Sequence, residues 1–159
     1  MNLALYIKSF FIWSDASALA NLMRSSTWLF PLIEVLHLVA ITLLLGMISV
    51  LDLRLMGVGM RQQSISEVAR DTFPWTWTGI ALATLSGGCL FAAEAMKLWE
   101  SPPFAAKIGF FALALASTAV FQHRMTQADQ PTAALKWTAL VSLLLWFGTG
   151  FAGRYIAFY

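Results

Sequence analysis

Apolar runs long enough to cross a membrane alternate along this chain with short polar connectors. The longest, from Trp28 to Leu51, contains only two ionisable residues, Glu34 and His37. About 20 apolar residues at about 1.5 Å per residue cover the roughly 30 Å hydrocarbon layer, so the pattern predicts a spanning helix over 28–51. Pro31 falls in its first turn, where a missing N–H costs little, and Asp52 and Arg54 mark its exit. Three further runs predict spans over 75–98, 104–123 and 135–157. In the second, Gly79, Gly87 and Gly88 stand among alanines at a spacing that suits close helix packing, or the approach of a flat ligand.

The first segment reads differently. Over residues 2–25, Lys8, Asp15 and Asn21 fall near one helical face while Leu3, Tyr6, Phe10 and Trp13 make another. That pattern predicts an amphipathic helix lying in the membrane interface. The small-residue triplet 16–18 resembles a signal cleavage site, but the apolar run before it is short and Lys8 comes late, so the segment is expected to stay in the mature chain. The polar connector 56–74 carries Gly57 and Gly59, ends at Pro74, and has room for a surface helix from Ser64 to Asp71. Pro102 and Pro103 stiffen the hinge at 100–104, which makes the second and third spans antiparallel neighbours, and 124–134 reads as a polar loop. The expected fold is all-α and one domain over 1–159: an integral membrane four-helix up-down bundle preceded by an N-terminal interfacial amphipathic helix.

Composition narrows the function classes. The 159 residues are 59% hydrophobic and 11% charged, against about 25% charged in soluble domains, so the lipid bilayer is the expected surrounding. The net charge of +2 has no basic block behind it, which argues against nucleic acid. Cys89 is the only cysteine, so an internal disulfide and a CxxC motif are excluded. No Ser-His-Asp order, phosphate loop or nucleotide fingerprint appears. Lys8, Arg24, Lys97, Lys107 and Arg154 fall on the face carrying both termini, and Arg54, Arg61, Arg70, Arg124 and Lys136 on the other. This even split gives the positive-inside rule nothing to choose between.

The ionisable residues inside the spans carry the candidate chemistry, because such groups are costly in hydrocarbon and normally face a bundle interior and a partner. Counted from the face with the termini, Glu34 lies about 9 Å deep, His37 about 13 Å, and Glu94, Lys107 and Arg154 about 4–6 Å. Glu34 or Glu94 is expected to pair with Lys107 or Arg154; snorkelling of the last three to the interface is the plainer alternative. His37 could ligate a haem b or hydrogen-bond a quinone, with Glu34 setting its tautomer or relaying a proton and Lys107 and Arg154 holding propionates or a headgroup. His123 is a second candidate ligand, but it lies some 15 Å from the level of His37, so a single haem held by both requires tilt or offset. A di-iron site needs two Glu-x-x-His motifs, and only Glu34–His37 is present. The leading expectation is a non-catalytic electron-transfer subunit beside other membrane or periplasmic proteins. Two alternatives stand beside it: copper handling through His37 with Met47 or Cys89, and a membrane anchor or assembly subunit in which the polar pair sets packing.

Taken together, Trp28-Leu-Phe-Pro31, Glu34-x-x-His37, Gly46, Asp52-Leu-Arg-Leu55, Pro74-Trp-Thr-Trp77, Phe104-x-x-Lys107 and Phe121-x-His123 give a chain that resembles the DUF6644 family of small membrane proteins. The resemblance implies a multi-pass protein of the bacterial inner membrane. It names no substrate.

Overall fold

The computed structural model describes residues 3–125 and 131–158, with side chains over the same residues apart from 121–124. Among the described residues the chain is helical, without strands. Helices α1 (Leu3–Asp15) and α2 (Ala18–Ser25) are followed by α3 (Leu29–Leu55), α4 (Ile65–Ala93), α5 (Ala95–Trp99), α6 (Pro102–Met125) and α7 (Ala133–Tyr155), and a 3-10 turn closes the chain over Ile156–Phe158. Four helices are long and apolar enough to cross a membrane: α3, α4, α6 over Pro102–Val120, and α7 with the turn after it.

A long apolar helix lies at each of the four expected spans, but several boundaries move. The N-terminal segment is two helices, because the Ser17 hydroxyl accepts from Ala20 N and starts a new helix. Arg24 then fixes this hook, donating to Asp15 Oδ1 at 3.0 Å and to Ala93 O at the end of α4 at 3.2 Å. Helix α3 continues past Leu51 to Leu55, where Gly57 at φ +79° lets its own N–H reach Arg54 O while Val58 N reaches Leu53 O. This pair of bonds closes the helix on a left-handed glycine.

The surface helix expected over Ser64–Asp71 is the first part of α4. Ser64 and Glu67 form a reciprocal cap, and the helix runs on through Pro74. That proline sits on the exposed side, so the backbone bond it forfeits lies away from the packed face. The inner face carries Ile65, Val68, Ala69 and Phe73 against Leu51 and Leu55 of α3. Beyond Ala93 the chain breaks at Glu94 and resumes as α5. The expected loop at 124–134 falls largely outside the described residues.

Helices α3 and α4 pack antiparallel along their length, α6 and α7 do the same, and α7 joins the pairs by packing on α3; α4 and α6 touch only lightly. At mid-height Leu44, Ile48, Ile80, Ala114 and Trp146 form a core. Trp146 is its largest member and donates its indole N–H to Thr118 Oγ1. At the end near α1 and α5, rings bridge the gap between α4 and α6: Phe91 stacks on Phe104 at 5.6 Å, and Phe11 of α1 meets both edge-on.

Candidate functional site

The interior between this aromatic layer and the mid-height core holds His37. Its position follows from glycine placement on α4. At Gly79 a Cβ would stand 3.0 Å from Leu44 Cβ, and at Gly87 one would stand 3.0 Å from His37 Cε1. The missing side chains let α3 lie close on α4 and leave room for the Cε1 edge of the imidazole. Ser86, the residue before Gly87, places its hydroxyl 2.8 Å from His37 Nδ1.

The hydrogen-bond network assigns the tautomer. Ser86 Oγ donates to Leu82 O at 2.6 Å, so it meets the ring as an acceptor and Nδ1 carries the proton. Nε2 is then a bare lone pair. That atom is buried and has no partner among the described residues. A buried acceptor left unmade costs about 1–3 kcal/mol, so an unfilled Nε2 marks a place where a donor or an electrophile would be gained.

Across the interior, Lys107 rises from the second turn of α6, near enough for its charge to act on His37. Its chain lies along α7 where Gly153 leaves room: a Cβ there would stand 3.3 Å from Lys107 Cε and 3.4 Å from Nζ. The ion pairs within the described residues are Arg24–Asp15 and Glu94–Lys97, so Lys107 is not joined to a carboxylate there. Two glycines thus frame two ionisable side chains, the His37 imidazole beside Gly87 of α4 and the Lys107 chain beside Gly153 of α7.

The other sequence candidates are placed elsewhere. Glu34 is exposed on α3 among Leu32, Val35 and Leu36, and no bond joins it to His37. Positions three apart on a helix differ by about 60° in direction, and here that separates the inward from the outward side. The expected pairing of Glu94 with Lys107 or Arg154 is replaced by Lys97, whose Nζ lies 3.7 Å from Glu94 Oε1. The break at Glu94 puts these two residues on one short turn of α5. Arg154 is exposed and sits over the Phe158 ring at 5.6 Å, outside the interior. His123 lies near the end of α6, and its side chain falls outside the described residues. Cys89 is half-buried, and no group of three or more His, Cys, Asp or Glu among the described residues could hold a metal ion.

Sequence reasoning missed Ser86, Gly153 and Asp52. Asp52 reads as the exit of a span, yet it is buried. Ser86 falls at a spacing where a helical hydroxyl usually bonds its own backbone; it does so, and also holds His37.

No curated protein and no solved structure matches the chain. Residues 10–159, nearly the whole length, match the model of a family of unknown function, DUF6644, and the chain belongs to that family.

Proposed function

We propose that this chain is a multi-pass protein of the bacterial inner membrane, folded as a four-helix up-down bundle. In this reading it holds a lipid-soluble redox cofactor at His37 and serves electron transfer as a non-catalytic subunit beside other membrane proteins. The observation that carries the reading is the buried, unpartnered Nε2 on an imidazole anchored through Nδ1.

Quinone fits the donor set best. His37 Nε2 would accept from a hydroxyl of the reduced quinol, and the Lys107 ammonium would donate to a carbonyl oxygen of the oxidised quinone. A bound quinone would supply paired electron and proton chemistry. Ser86 keeps the ring in the tautomer that can accept, Gly87 leaves room for its edge, and the aromatic layer of Phe91 and Phe104, one turn from Gly87 and Lys107, shields the site from water. Glu34, on the outer face of α3, offers a neighbouring subunit a carboxylate.

Haem b is the second reading. A histidine held through Nδ1 and presenting Nε2 would suit haem iron, and Lys107 would meet a propionate. Organic extraction and the absorption spectrum of the detergent-purified protein test both. A quinone in the extract or a Soret band supports the proposal, and a colourless protein with a quinone-free extract overturns it.

A further inference from the structure

A second polar site lies toward the other end of α3, independent of His37. A cavity of about 20 Å³ sits among α3, α4, α6 and α7, room for one particle the size of a water. Asp52 lines it, with 2% of the residue exposed. Ser142 of α7 lines the cavity beside it, yet among the described residues Asp52 Oδ2 is buried without a partner and belongs to no ion pair. Arg54, two residues on, turns its Nε to Gln63 O at 2.8 Å; residues two apart on a helix do not face each other.

The hydroxyls around the cavity decide what it would take. Thr76 Oγ1 donates to Thr72 O at 3.0 Å, Ser117 Oγ to Ala114 O at 2.8 Å, and Thr138 Oγ1 to Ala134 O at 3.0 Å. These three protons are committed to backbone, so their oxygens offer lone pairs, while Thr118 Oγ1, also on the lining, is engaged by the Trp146 indole N–H. A carboxylate with hydroxyl oxygens repels an anion and suits a small, hard cation. One carboxylate balances one charge, so a monovalent ion leaves the buried site neutral where a divalent ion would leave a costly excess.

We propose that this cavity is a binding site for a monovalent cation of the size of sodium, with Asp52 as its charged ligand and hydroxyl oxygens from α4, α6 and α7 as its neutral ligands. The test is thermal unfolding of the full chain in detergent, in choline chloride exchanged for sodium or potassium chloride at constant ionic strength. Sodium is expected to raise the Tm saturably and potassium much less, and Asp52→Asn is expected to lose the response. Equal shifts with both salts, no shift at all, or a sodium response retained in Asp52→Asn would overturn the proposal. Should Asp52→Asn fail to fold, equilibrium binding of radioactive sodium to the wild type and to Ser142→Ala decides. Saturable binding, about tenfold weaker once one hydroxyl of the lining is gone, supports the site; absence of saturable binding in the wild type refutes it. His37→Ala should leave the sodium response unchanged, so the two sites fail or stand separately.

Discussion

Two glycines in one helix should respond to the same substitution with opposite signs. At Gly79 an added Cβ would stand 3.0 Å from Leu44 Cβ and 3.1 Å from its Cα and N. These atoms belong to the α3 backbone or its first branch and cannot swing aside, so α3 and α4 must part by a few tenths of an ångström. Overpacking of this kind costs about 1–3 kcal/mol, while alanine in a helix interior gains about 1 kcal/mol over glycine. Gly79→Ala is therefore expected to be destabilised by as much as about 2 kcal/mol. At Gly88 nothing lies within 4 Å of the same Cβ, so Gly88→Ala keeps the propensity gain alone, about 1 kcal/mol stabilising. Subtracting one from the other cancels propensity and leaves packing, a gap of about 1–3 kcal/mol. Equilibrium unfolding in mixed micelles, followed by fluorescence of the seven tryptophans, measures it. Gly79→Ala as stable as Gly88→Ala would refute the close α3–α4 approach.

Three other outcomes follow from named contacts. Gly87→Ala meets the tip of a side-chain ring, which can turn, so stability should change by under about 1 kcal/mol while the nitrogen chemical shifts of His37 move; an unchanged imidazole spectrum would contradict the packing. Trp146→Phe removes the donor to Thr118 at the mid-height core and should cost about 1–2 kcal/mol in the same unfolding assay. Arg24→Ala frees the α1–α2 hook from Asp15 and Ala93, so amide exchange over residues 3–25 should speed up while the core of α3 stays protected.

Hydropathy made the four long helices legible because each has enough apolar residues to cover the hydrocarbon layer, and that signal is additive along the chain. Their ends were less so. Pro74 reads as a boundary, yet it lies on the outward side of α4, and the packed inner face carries the helix through. Leu51 reads as an exit, but the span extends one more turn to a stop written in Gly57. At the site, the inward turn of His37 was legible as an ionisable group too costly to leave in lipid, and Lys107 as a cation at a similar level. Glu34 was not, since three residues of separation place it on whichever side the neighbouring helix leaves uncovered. The burial of Asp52 depends on hydroxyls from three other helices, which no local pattern relates to one another.

We propose that the bare Nε2 of His37 holds a lipid-borne cofactor. The most direct measurement is the cofactor content per chain of detergent-purified wild type and His37→Ala, by extraction for quinone and by pyridine haemochrome for haem. A fixed stoichiometry is expected in the wild type, falling to background in His37→Ala while the helix content of the variant is unchanged. Equal content in the two proteins, or none in the wild type, would contradict it.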